Sequence, residues 1–148
     1  MTLIGGFTLD PDVRFWRFTN QTRSGWISPR CEFSATPNGD YLAPRNSVEP
    51  IPIVFDTGAT YCLMNTGLVE FLRLSDTGVE RPISLADGTQ AHFKVARAFV
   101  RIEGSDAKSM IFVAHHESAS NRILLPISIL KWYQVLLTHS ESIWVEGL

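Results

Sequence analysis

The sequence predicts an all-β chain with one or two short helices, and three observations carry that expectation. Apolar and aromatic residues come in short runs, among them Phe15 to Phe18, Ile51 to Phe55 and Met110 to Ala114, bounded by Gly, Pro, Asn and Ser. Two dipeptides suited to tight hairpin turns, Asn38-Gly39 and Asp87-Gly88, stand between strand-like arms. Helical spacing of apolar residues is confined to two brief stretches. At 148 residues the chain fits one domain, 1–148, long enough to bury a core without metal or disulfide staples.

Taken in order, "FWRF" and "CEF" read as strands, and Asn38-Gly39 closes a hairpin between Cys31-Phe33 and Tyr41-Leu42 within an otherwise loop-like excursion. Ile51 to Phe55 is a short buried strand, with Pro52 near its start because proline cannot donate to a ladder. A brief helix follows, capped by Asn65 or Thr66, with Leu68, Phe71 and Leu72 on one face. "RPISLADGTQAHFKV" forms a hairpin about Asp87-Gly88. Its second arm changes parity, from Phe93 and Val95 to Ala96, Ala98, Val100 and Ile102, which predicts a bend or bulge near Ala96. Met110 to Ala114 reads as a strand buried on both faces. Pro126 opens a second short helix through Trp132, then strands run from Gln134 to Leu137 and through "SIWVE".

Bulk properties exclude several function classes. Hydrophobic residues make up 45% and charged residues 19%, and the formal charge of −2 gives no electrostatic footprint for nucleic acid or an anionic membrane. The N-terminal "MTLIGGFTLDPD" lacks the basic leader of a signal peptide, and no apolar stretch is long enough for a membrane helix. The expected location is therefore intracellular and cytoplasmic, and the glycosylation spacing Asn20-Gln21-Thr22 is a coincidence. Cys31 and Cys62 are expected as reduced core residues, and Trp16, Trp26 and Trp132 as core aromatics.

Chemistry points to one place. Asp56-Thr57-Gly58 lies between the apolar runs Ile51 to Phe55 and Ala59 to Met64, so a carboxylate leaves the end of a buried strand on a rigid backbone. Gly58 permits a sharp turn, and Thr57 can supply a supporting hydrogen bond. One such carboxylate does little alone. Two held together cannot both ionise, so they share a proton: the ionised member can deprotonate water while the protonated member donates to a carbonyl.

"VFDTGATYCLM" resembles the active-site strand and loop of the retropepsins, the small retroviral-type aspartic proteases. "ISLADGTQAHFKVARAFVRI" is similar to their flap region, and "MIFVAHHESASNRILLPISIL" to their later strand and helix start, where this chain has Pro126 and Ser128 at the family's Gly and Asp positions. The match runs from about Ile51 to Leu137, leaving 1–50 as an N-terminal strand and loop extension and 51–148 as the protease core. The resemblance implies a single-lobe, closed β-barrel aspartic-protease fold, released in some members from a larger polyprotein. It also implies Asp56 as the catalytic carboxylate, supported by Thr57, Gly58 and Ala59. Ala86, Asp87, Gly88 and Thr89 would form the flap over an extended polypeptide substrate. No metal or cofactor is implied.

The tripeptide recurs at Asp76-Thr77-Gly78, flanked by Arg73, Glu80 and Arg81. Twenty residues cannot hold a second lobe, so this copy is expected to be an exposed turn or helix C-cap. The partner of Asp56 then comes from a second copy of the chain in a two-fold homodimer. His115, His116 and Glu117 suggest a metal only weakly, because neighbours on a strand point to opposite faces, and a solvated loop is expected there. A catalytically silent dimerisation or peptide-binding module with the same fold is the alternative, favoured by Pro126 and Ser128.

Overall fold

A computed structural model describes residues 2–4, 7–9, 12–19, 29–45, 51–55, 59–84, 88–120, 122–126, 131–137 and 141–146. In chain order its elements are β1 (Thr2–Ile4), β2 (Phe7–Leu9), β3 (Phe15–Phe18), β4 (Cys31–Ser34), β5 (Ile53–Phe55), β6 (Cys62–Asn65), α1 (Thr66–Phe71), β7 (Ser75–Ser84), β8 (Gln90–Ile102), β9 (Ser109–His116), β10 (Ile123–Leu125), β11 (Tyr133–Leu137) and β12 (Ser142–Glu146). The class is all-β, as the short runs predict.

Seven strands form a curled half-barrel sheet in the order β4-β8-β9-β6-β10-β5, with β7 also paired to β8. The long strand β8 organises it. Along one edge β8 pairs antiparallel with β7 through residues 90–97 and with β4 through 99–102, and along the other with β9. A second sheet, β11-β12-β3, draws strands from both ends of the sequence, and β1 pairs with β2. Residues from the first fifty are thus woven into both larger sheets, although they carry no motif.

The concave side of the large sheet holds the core, where Phe33, Cys62, Met64, Ala98, Val100, Ile102, Val113, Ile123 and Leu125 are fully buried. The three-stranded sheet closes over it with Trp144 and Tyr133, whose rings meet edge to face at 6.0 Å. Tyr133 also fastens the sheets by hydrogen bonding: its hydroxyl accepts from Ile102 N at 3.3 Å, lies 2.7 Å from Ser105 Oγ and reaches Ala107 O at 2.9 Å.

Local rules explain the turns. Phe33 and Leu42 exchange backbone hydrogen bonds, each 2.9 Å, around the Asn38-Gly39 turn. Asn65 caps α1, its Oδ1 accepting from Gly67 N at 2.8 Å. The helix ends in a Schellman pattern, Leu74 N to Val69 O and Arg73 N to Glu70 O, with Arg73 in the left-handed region at φ 56°. The parity change of β8 has its counterpart on the neighbouring strand. Pairing with β9 runs through Ala96 without a shift, whereas β7 slips between Asp76 and Val79, opposite Ala96 and Val95.

Three expectations need correction. Phe71 is 45% exposed and Val69 takes its buried place, because α1 packs against β6 and β9 rather than presenting its most apolar face. β9 is not buried on both faces: Met110 and Phe112 point outward while Ser109, Ile111 and Val113 point in. Trp132 is exposed, with Lys131 Nζ 5.2 Å from its ring centroid, whereas Trp16 packs on the core. Trp26 and most of the helix expected after Pro126 lie outside the described residues.

Candidate active site

Strand order sets the site. β5 runs parallel to β10 with Phe55 opposite Leu125, and β10 meets β6 at Leu124 and Leu63. The two strands that flank Asp56-Thr57-Gly58 in sequence are therefore separated in the sheet by β10, and Ile123 N donates to Pro52 O at 3.0 Å to hold the parallel pair. Asp56 follows Phe55 directly and Pro126, which is buried, follows Leu125. The surroundings are apolar: Ile53, Val54, Cys62, Met64, Ile123 and Leu125 are all buried. Such a setting strengthens any interaction between charged groups.

Asp56, Thr57 and Gly58 themselves lie outside the described residues, as do Ala86, Asp87 and Ser128. Ala59 is half-buried in the segment leading into β6. Gly88 and Thr89 are exposed at the tip of the β7–β8 hairpin, where Gly88 has φ 86° and Ser84 is the register partner of Gln90. The hairpin is therefore where Asp87-Gly88 predicts it, and the positive φ is the reason a glycine stands there.

The second Asp-Thr-Gly is exposed and structural, as expected, but it is neither a turn nor a helix cap. It forms the β7 bulge: Gly78 has φ 76°, and Thr77 Oγ1 donates to Val95 O at 2.7 Å while accepting from Val79 N at 3.3 Å. Bulging turns Asp76 toward β9, where its Oδ1 is 3.6 Å from His115 Nε2. His115 is not in a solvated loop. It is buried near the end of β9, with Nδ1 3.0 Å from Thr66 Oγ1. His116, on the opposite face, stacks on Phe93 and takes hydrogen bonds from Ser118. Strand pairing, not proximity in sequence, creates the Asp76–His115 contact, so no local signal announces it.

Other candidates fall away chemically. Cys31 and Cys62 are free and fully buried, and burial pushes both thiols upward, which leaves little thiolate for nucleophilic attack. A groove of about 640 Å³ between the 34–42 turn and the end of α1 is lined by Thr36, Asp40, Leu42, Phe71 and Arg73 among others, and shares none of the strand-end residues above. Among the described residues no helix is long and apolar enough to cross a membrane.

The sheet order, the hairpin over residues 75–102 and the short α1 define a fold of the single-lobe aspartic-protease type. No protein-family model and no curated protein matches the chain. Among solved structures it is similar to the crystal structure of a retropepsin-like aspartic protease from Rickettsia conorii, at 18% identity and a TM-score of 0.58, over 91% of this chain and 92% of that one. The shared fold is thus retropepsin-like, and it extends beyond the 51–148 segment that carries the motifs.

Proposed function

We propose that the chain is an aspartic endopeptidase in which two copies of Asp56, one from each subunit of a homodimer, activate water against a peptide bond. The observation that carries this reading is the retropepsin-like fold with an Asp-Thr-Gly at the end of the buried strand β5, beside β10. The other Asp-Thr-Gly is used as a bulge, so one chain offers a single candidate carboxylate.

In the proposed reaction the paired carboxylates hold one proton between them. The ionised Asp56 takes a proton from water as its oxygen attacks the carbonyl carbon, and the protonated Asp56 donates to the carbonyl oxygen. As the tetrahedral diol collapses, the Asp56 that took the water proton gives it to the amine nitrogen while the C–N bond breaks, and the other Asp56 takes a proton from a diol hydroxyl, which restores the shared proton. Thr57, Gly58 and Ala59 shape the loop that holds the carboxylate. Ala86, Asp87, Gly88 and Thr89, at the hairpin tip, close over a polypeptide that lies extended and pairs through its backbone. The reaction uses no metal or cofactor, and the protein works inside the cell, cutting between bulky apolar residues.

A mixed peptide library incubated with the protein from acidic to neutral pH, beside Asp56→Asn, tests the mechanism. Cleavage by the parent and none by the variant is expected, with sedimentation showing a dimer. Cleavage that survives Asp56→Asn overturns it. A dimer without cleavage under any condition identifies the silent binding module, a reading favoured by the buried Pro126 directly after Leu125.

A further inference from the structure

The groove of about 640 Å³ between the 34–42 turn and the end of α1 lies apart from the strand ends that carry the proposed chemistry. Backbone hydrogen bonds fix both of its walls. On one side Phe33 and Leu42 exchange bonds of 2.9 Å, and Ser34 Oγ accepts from Thr36 N at 3.3 Å. On the other, Arg73 N donates to Glu70 O and Leu74 N to Val69 O, each at 3.1 Å. A preformed hollow of this size falls in the range that ligands fill.

The lining residues that decide what fits are Asp40, Leu42, Glu70, Phe71 and Arg73. Phe71 is 45% exposed, a large apolar ring left in water while Val69 takes the buried side of α1. The carboxylates of Asp40 and Glu70 and the guanidinium of Arg73 line the same groove. Among the described residues none of these three side chains has an ion-pair or hydrogen-bond partner. Arg73 also stands where glycine is favoured, closing the helix at φ 56°. The backbone gives no reason for an arginine there, and strain of this kind persists at ligand clamps, where the side chain is needed.

We propose that this groove binds an extended polypeptide segment in which an acidic, an apolar and a basic side chain stand at alternate positions. Alternate side chains of an extended chain share one face, so all three can enter together. The acidic one pairs with Arg73, the apolar one covers Phe71 and Leu42, and the basic one pairs with Asp40 or Glu70. A purely acidic segment would meet two carboxylates, and a purely basic one would meet Arg73, so the mixed pattern is favoured. Each exposed ion pair contributes little, and binding is therefore weak but selective for the pattern. The groove serves a polypeptide in this way whether or not Asp56 is catalytic.

Fluorescence anisotropy of a labelled, end-capped Glu-Ser-Leu-Ser-Lys peptide, titrated with the full chain at neutral pH and low salt, tests the groove. Saturable binding with a Kd below about 1 mM is expected, weakening as salt is raised. Arg73→Gly should weaken it about fivefold, the worth of one exposed ion pair. Glycine suits that backbone, so the variant folds and a loss of binding belongs to the side chain. Asp40→Asn with Glu70→Gln should weaken binding of this peptide but not of one with Gln in place of Lys. Phe71→Ser should erase the preference for Leu over Ser at the centre of the peptide. No saturable binding by the parent, or equal binding by Arg73→Gly, overturns the proposal. Self-association of the chain that Arg73→Gly abolishes, seen by sedimentation in place of peptide binding, also overturns it and makes the groove an interface between copies. Binding is read without cleavage, so failure of the proposed protease activity and failure of the groove are separate results.

Discussion

Phe55 and Leu125 are register partners in the parallel pairing of β5 and β10, and each is followed at once by a residue that bears on the proposed function, Asp56 as its carboxylate and Pro126 as the feature that favours the silent alternative. Leu125 is fully buried, so Leu125→Ala leaves a cavity directly behind the strand that carries the carboxylate. The expected cost is about 2 to 5 kcal/mol. Urea denaturation should show a lower midpoint at unchanged slope. If the proposed Asp56 pair is the catalyst, cleavage per folded molecule should also fall, because such a pair tolerates little displacement.

Gly88 and Gly104 provide a matched comparison. Both have positive φ, 86° and 80°, and at both the position of a side-chain carbon is open space. Alanine at either site should cost about 1 kcal/mol through the left-handed backbone alone. Function should separate them. Gly88→Ala lies at the hairpin tip and should raise KM for peptides, whereas Gly104→Ala, in the turn after β8, should leave kcat/KM unchanged. Steady-state kinetics on the two variants checks this.

What the residues reveal unaided is mostly local. Asn38-Gly39 and the Asn65 cap are each settled by one or two hydrogen bonds, and Gly88 by its positive φ, so their signals survive in the sequence. Facing is another matter. Met110 and Phe112 point outward and His115 inward because β9 is held between β8 and β6, and an apolar run does not record which neighbours its strand will have. The second sheet joins β3 to β12 across most of the chain, and no local pattern in "FWRF" names its partner. The candidate Asp56 is proposed from its sequence neighbours alone, a strand before it and a glycine after it, because it lies outside the described residues. The Asp76–His115 contact is not legible in the sequence, because three paired strands create it.

Arg73 closes α1 in a conformation that suits glycine, at φ 56°. The left-handed backbone costs a residue with a side chain about 1–2 kcal/mol. Glycine gives back about 0.5–1 kcal/mol through the greater freedom of the unfolded chain. Arg73→Gly should therefore raise stability by about 0.5 kcal/mol, a rise of about 1–2 °C in Tm by calorimetry. Arg73→Ala keeps the strained backbone and should leave Tm unchanged.

Alkaline pH should unfold the protein in a direction that burial dictates. Burial pushes the thiols of Cys31 and Cys62 upward, with Glu32 adding to the first and Cys31 to the second. Their folded-state pKa values exceed the unfolded ones, so above about pH 8.5 the unfolded chain releases protons that the folded chain retains. Stability is then fully present below that pH and lost as pH rises. The urea midpoint should decline steadily from about pH 8.5 to about pH 10.5. A Cys31→Ala, Cys62→Ala double variant, less stable at neutral pH, should show a shallower decline.

The Tyr133 hydroxyl is a buried polar group with several partners. It carries one hydrogen yet has three partners, Ile102 N, Ser105 Oγ and Ala107 O. All are satisfied if Tyr133 donates to Ala107 O and accepts from Ile102 N and Ser105, while Ser105 Oγ accepts from Ala107 N at 3.1 Å. Burial, only partly offset by the hydrogen bonds with Ser105 and Ile102, pushes the phenol upward, so it is neutral at physiological pH. Tyr133→Phe fills the same space but strips partners from Ile102 N and Ala107 O. The expected cost is about 2 kcal/mol, more than an ordinary lost hydrogen bond, because the groups left behind are buried. Ser105→Ala acts on the same network, so Tyr133→Phe combined with Ser105→Ala should cost less than the two single changes added together. Urea denaturation of the three variants measures that coupling. Strict additivity would mean that Ser105 and Tyr133 act independently in holding the sheets together.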